Sequence, residues 1–216
     1  MTKLWSPEHP SFLIKEMAMA NPNLEFSAMG YSYNSNYDGL LNKYSNDEEI
    51  LFDVETLDLV DQFIQEQASF GRDVVFSSSV FDKKDNGTFY LPMVDFLFKP
   101  DDRAVLEQAE NNLDQLNLWD LRGFKFYKSG RSYHAYGTEL FDSEQWREFL
   151  GSLLLLNQPY GNPAVDWRWI GHSIRRNSSF LRWTKIDDRY LDIPTLVENP
   201  FQALLNERQI AFKSAF

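Results

Sequence analysis

The residues best suited to chemistry lie in Lys128-Ser129-Gly130-Arg131-Ser132-Tyr133-His134. An alternating aromatic run, Phe124-Lys125-Phe126-Tyr127, leads into this heptad, and Ala135-Tyr136-Gly137 leads out of it. Alternation of this kind predicts extended chain on both sides of a bend. Ser129, Gly130 and Arg131 then sit at the bend, with His134 on the following strand. A glycine between a serine and an arginine at such a bend brings backbone N–H groups and a guanidinium toward one point, and phosphate oxygens are held well there. A polar hairpin turn with a satisfied histidine accounts equally well for the same seven residues.

Two acids and two bases complete the candidate set. Asp95 is the one acid in the apolar run Tyr90-Leu91-Pro92-Met93-Val94-Asp95-Phe96-Leu97-Phe98. A carboxylate among apolar neighbours is costly unless a metal ion or an arginine pairs with it, or a strand end lets it bond to backbone. Asp166 follows Val165 and precedes Trp167-Arg168-Trp169-Ile170-Gly171-His172-Ser173. Arg182 and Lys185 belong to Phe180-Leu181-Arg182-Trp183-Thr184-Lys185. Three positions apart on a strand they face opposite ways, so only a turn after Trp183 lets both reach one phosphate chain. Arg175-Arg176 reads as a solvated basic corner, and His172 has no partner that sequence identifies.

The elements that position these residues follow from periodicity and punctuation. Phe12 to Ala20 predicts a short helix ended by Asn21-Pro22. Residues 31–48, rich in Asn, Ser, Tyr and Asp, predict a loop or mobile connector. Ile50 to Phe52 predicts a short strand. Leu57, Val60, Phe63 and Ile64 give residues 56–68 the spacing of an amphipathic helix, closed by Gly71. Val74 to Phe81 and Thr88 to Phe98 flank Asp85-Asn86-Gly87, which predicts a hairpin. A helix from Arg103 to Leu116 capped by Asp101 or Asp102, strand through Phe124 to Tyr136, and a helix from Asp142 or Ser143 to Leu156 come next. Trp167 to Ser173 and Ser179 to Thr184 read as two strands joined by Arg175-Arg176-Asn177, and residues 200–215 as a final helix. The expected class is α+β, with one mainly antiparallel sheet flanked by helices. The expected organisation is a helical and loop segment over residues 1–70 packed on a core over residues 71–216, together one compact domain.

Composition narrows the classes. The chain has 216 residues, long enough for one sizeable core. No run approaches the roughly 20 apolar residues of a membrane span, and no signal-peptide pattern is visible, so no membrane association is expected. The absence of cysteine excludes disulfides, thiolate zinc sites and a thiol nucleophile, which fits a cytoplasmic protein. A net charge of −11 argues against a general nucleic-acid coat protein, since counterion release needs a basic surface. Acids dominate residues 44–115, whereas Lys125, Lys128, Arg131, Arg168, Arg175, Arg176, Arg182, Lys185 and Arg189 fall in the second half. A local basic groove is therefore compatible with the overall charge.

The order of these pieces, a lone acid on a strand, Ser-Gly-Arg-x-x-His after a strand, a second acid, then a strand with Arg and Lys, resembles the catalytic core of the archaeo-eukaryotic primase superfamily, which includes primase-polymerases. The resemblance spans about residues 72–190, and Ser129-Gly130-Arg131 with His134 is its most specific part. It implies template-dependent nucleotidyl transfer of the kind used in DNA replication. It also implies a nucleoside triphosphate bound through Ser129, Gly130, Arg131 and His134, and Mg2+ or Mn2+ held by Asp95 and Asp166, with His134 among the catalytic groups. Arg182, with Lys185, would contact phosphate, and a DNA or RNA template would be a second ligand. Asp187 is an alternative to Asp166 as third-motif acid. The chain departs from the pattern at Leu97, where the family carries the second acid of its first motif. Strand alternation puts residues 95 and 97 on one face, so Asp95 stands alone there. The expectation is a primase-polymerase-like domain that binds nucleotide and is catalytically weakened by Leu97. Three alternatives remain open: an active nucleotidyltransferase that recruits Asp187 or Asp188, a non-catalytic module that binds a protein partner through its acidic N-terminal half, and an unrelated α+β domain.

Overall fold

The computed structural model describes residues 5–31, 48–115, 120–159, 161–185 and 192–214, with side chains through residue 210. Most of the connector expected at 31–48, the helix end expected at Leu116, and Asp187, Asp188 and Arg189 lie outside the described residues. Among the described residues the chain is α+β, and every strand pair is antiparallel. There are two sheets where one was expected.

The first sheet contains β1 (Leu24–Tyr31), β2 (Glu49–Phe52), β3 (Asp73–Asp82), β4 (Gly87–Tyr90) and β8 (Phe180–Arg182). The second runs in the order β5 (Met93–Asp95), β7 (Ser132–Tyr136), β6 (Lys125–Ser129) and β9 (Thr195–Val197). The helices are α1 (Pro10–Ala20), α2 (Leu57–Ser69), α3 (Arg103–Gln115), α4 (Ser143–Leu154), α5 (Trp167–Arg176) and α6 (Pro200–Ser214).

Strand β3 is the spine of the first sheet. One edge pairs with β1, and the other is shared by β8 at Val75–Ser77 and β4 at Ser79–Asp82. Its first six residues are all buried, which is why it shows no clean alternation of apolar and polar residues. The hairpin expected at Asp85-Asn86-Gly87 is present, with Asn86 in the left-handed region at φ 51°. The strand expected to run unbroken from Thr88 to Phe98 instead changes sheets at Leu91-Pro92. Proline has no N–H to give a ladder, and the chain leaves β4 there to start β5.

That crossing places the two faces of the second sheet. Val94, Phe96, Phe126 and Ala135 join Phe98 in a core built with α3, α4, α5 and α6, where Phe96 stacks on Phe126 with ring centroids 5.4 Å apart. The alternate residues Met93, Tyr127 and Tyr136 join the core of the first sheet, α1 and α2. Asp95 and Leu97 continue this second face to its rim.

Residues 167–173 form a helix, not the strand expected from Trp-Arg-Trp-Ile. Asp166 caps it, accepting from the N–H groups of Arg168 and Trp169, and Asn177 ends it in the left-handed region at φ 55°. Buried Ile170 and Ser173 are three apart, the helical spacing. Strands β1 and β9 were not anticipated. No described helix is long and apolar enough to cross a membrane.

Candidate functional site

Three neighbouring chain segments put three candidate side chains in one row. In the ladder between β5 and β7, Asp95 lies opposite His134. On the other side of β5, Phe96 bridges Val165, and the Asp166 N–H donates to the Asp95 carbonyl at 3.0 Å. Directly opposed residues of an antiparallel pair share a face, so His134, Asp95 and Asp166 follow one another across it. They line a cavity of about 640 Å3, together with Leu97, Ser129, Ser132 and Arg182, the α5 residues Arg168, Trp169, His172, Ser173 and Arg176, and apolar side chains of β3 and β8.

The predicted site residues therefore divide. Asp95, Ser129, His134, Asp166 and Arg182 reach the cavity. Gly130, Arg131 and Lys185 do not line it: Gly130 sits at the turn with φ 70°, and Arg131 and Lys185 are exposed. Gly130 nonetheless permits the tight turn that opposes Ser129 to Ser132 across β6 and β7. The residues missed are Arg168, His172 and Arg176, at i, i+4 and i+8 on α5. A strand ending at Ser173 with Arg175-Arg176 in a turn leaves Arg176 off the element that carries Arg168 and His172, whereas the helix continues to Arg176 and puts all three on it. The capping aspartate followed by arginine-rich sequence was the signal that could have revealed it.

The electrostatics are uneven. Asp95 is pushed up to about 7, first by withdrawal from water and then by the negative charge of Asp166, with Arg182 and Arg168 opposing. Its side chain keeps 27% exposure toward the cavity, which limits how far desolvation can act. His134 is pulled down to about 3 by burial, with Arg182 adding to the effect, so its ring is neutral at physiological pH. Its Nε2 lies 3.8 Å from Asp95 Oδ1, longer than a hydrogen bond, and its buried Nδ1 has no hydrogen-bond partner among the described residues. Asp166 is engaged twice, as the cap of α5 and through Oδ1 and Oδ2 to the Arg168 guanidinium, both at 3.2 Å.

The residues present test the expected divalent ions directly. Among the described residues no set of three or more histidine, aspartate or glutamate side chains is arranged to hold a metal. Mg2+ takes about six oxygens and often needs only one or two protein carboxylates when phosphates and waters complete the shell. Asp95 and Asp166 match that smaller requirement. A two-ion centre does not fit, because Leu97 occupies the wall beside Asp95 and Asp166 is already paired with Arg168.

An antiparallel α+β domain with acids, a buried histidine and arginines around one open cavity is the class that fold and site define. The family model of archaeo-eukaryotic primase 1D-like domains matches residues 56–195, and the chain belongs to that archaeo-eukaryotic primase-like family. No curated protein and no solved structure matches the chain.

Proposed function

We propose that this primase-like domain binds a nucleoside triphosphate in the cavity between β5, β7, β8 and α5, and that Leu97 weakens its nucleotidyl-transfer chemistry. The observation that carries the reading is the convergence of Ser129, His134, Asp95 and Asp166 with Arg168 and Arg176 on one cavity wall. Three guanidiniums, including Arg182, face two carboxylates there, and one of those carboxylates is held toward its neutral form. In a chain of net charge −11 this local excess of positive groups suits a polyphosphate.

Asp95, with Asp166, would hold one Mg2+ or Mn2+, which when bound offsets phosphate charge. Ser129 donates to a phosphate oxygen, and Arg168 and Arg176 add positive charge along α5. A DNA or RNA template, the second ligand the family implies, would have Trp167, which is 59% exposed, and exposed Arg175 as candidate contacts on α5, outside the lining of the cavity. Aromatic faces next to cations suit unpaired bases and their backbone. Leu97 in place of an acid favours one second reading, a non-catalytic module that keeps the fold and binds a protein.

Thermal unfolding with millimolar nucleoside triphosphate and Mn2+ separates the two. Ligand at a hundred times its dissociation constant contributes about 2.7 kcal/mol, a shift of a few degrees for a domain this size. His134→Ala should abolish the shift and leave the unliganded fold intact. An unchanged melting temperature in the wild type, or a full shift in His134→Ala, would overturn the nucleotide reading.

A further inference from the structure

Arg182 was expected to touch phosphate, yet most of its hydrogen-bonding capacity is turned inward. The side chain is buried. Nη2 donates to Ser129 Oγ and to the Asp192 carbonyl, each at 3.0 Å, and Nη1 donates to the Thr184 carbonyl. Thr184 is itself fixed from behind: its hydroxyl donates to Asp73 at 2.7 Å and accepts from the Val74 N–H at 2.8 Å. A buried chain of contacts thus runs from β3 through Thr184 and Arg182 to the end of β6, joining the two sheets at the back of the cavity.

The direction of the Ser129 bond has a chemical consequence. A guanidinium has only donors, so Ser129 Oγ must accept. Its own proton then points elsewhere, and among the described residues no acceptor takes it. Ser129 lines the cavity. We infer that Arg182 is a positioning residue: it fixes the Ser129 hydroxyl as a donor aimed into the cavity, where that donor meets an oxyanion, and Arg182 does not itself hold the ligand. The identity of the oxyanion as a phosphate rests on the proposed nucleotide reading; the orientation of the hydroxyl does not.

The chain has no cysteine, so Ser129→Cys creates a unique thiol at this point. Beside the guanidinium its pKa should fall below the ordinary value of about 8.5. An anionic methanethiosulfonate reagent should modify it faster than a cationic one of similar size. In Ser129→Cys with Arg182→Met the thiol pKa should rise back toward the ordinary value and the preference for the anionic reagent should shrink, Arg168 and Arg176 still lining the cavity. A thiol that titrates ordinarily or shows no preference for the anionic reagent overturns the inference, and this single variant decides it even if the Arg182 variants fold poorly. A second arm measures affinity for inorganic triphosphate. Ser129→Ala and Arg182→Lys should each lose roughly tenfold, the size of one hydrogen bond to a charged group, and the double variant should lose no more than either alone. Additive losses mean that Arg182 holds phosphate independently, which also overturns the inference. If the wild type fails to bind triphosphate while the thiol behaves as described, the nucleotide reading fails and the positioning role stands.

Discussion

Asp95→Asn should make the protein more stable at neutral pH, the opposite of what most substitutions in a packed site do. An ordinary aspartate titrates near 3.8, whereas Asp95 is held up to about 7 by lost hydration and by Asp166. The native state therefore binds more protons at this position than the unfolded chain does between those two values. Stability associated with the protonated carboxyl is fully present below about 3.8 and is lost as pH rises through about 7. The gap corresponds to ~4 kcal/mol at full ionisation, and water entering a cavity that leaves the side chain 27% exposed reduces it to about 2 kcal/mol. Asparagine keeps the shape and removes the charge. Urea unfolding of both proteins at pH 4, 6 and 8 should give nearly equal stabilities at pH 4 and a gain for Asp95→Asn of about 2 kcal/mol at pH 8. A constant difference at all three pH values, or no gain at pH 8, would refute the assignment of Asp95 as an electrostatically strained carboxylate.

A histidine far along the chain should bend the same curve the other way. His9 is buried between the Trp183 carbonyl, 2.8 Å from Nε2, and Ser11 Oγ, 2.7 Å from Nδ1; burial pulls it down to about 4, with the carbonyl opposing and Arg182 adding. The unfolded chain then binds the extra proton between about 6.5 and 4, so stability falls as pH drops through that window. His9→Gln should be less stable at pH 7 but have a flatter acid limb in pH-dependent urea unfolding, and an unchanged slope would exclude His9 as its source. His134, pulled down to about 3, contributes to the slope that remains. Leu97→Asp restores an acid two residues from Asp95 on the cavity wall. The variant should melt lower than the wild type without metal and gain more from millimolar Mn2+, because three carboxylates then share one cavity until a cation offsets them. Equal Mn2+ responses in the two proteins would show that Leu97 is not what limits metal binding.

Sequence periodicity located α2, α3, α4, the β3–β4 hairpin and the bend between β6 and β7, because each is bounded by local chemistry. Asp142 shows how local: its side chain accepts from the Glu144 and Gln145 N–H groups, and Gln145 returns the bond to the Asp142 N–H. Strand β1 was invisible for the opposite reason. Leu24, Phe26 and Ala28 alternate with Glu25 and Ser27, but the alternation covers only five residues before Met29 and Gly30 break it, and no turn residue marks its end. Pro92 marks a break in the sequence, but a proline alone does not distinguish a strand end from a change of sheet. In the site, Asp95, Ser129 and His134 were legible from residue type and order. The α5 wall was not, because Trp-Arg-Trp-Ile-Gly-His alternates well enough to imitate a strand until the Asp166 cap decides the matter. Arg182 was found, but only tertiary structure shows that its fork faces a serine 53 positions earlier.

The arrangement of charge bears on how this fold carries a site with Asp95 and Asp166 but no acid at position 97. A face carrying acids at 95 and 97 beside Asp166 would place three carboxylates along two adjacent chain segments, and like charges in so small a space raise each other's pKa unless cations intervene. Here Leu97 removes one of them, Arg168 pairs with Asp166, and burial carries Asp95 toward its neutral form. Each of these lowers the demand for a cation and raises the relative weight of Arg176 and the Ser129 hydroxyl as partners for an anion. On the proposed reading, this balance favours direct contact with phosphate over contact through metal ions.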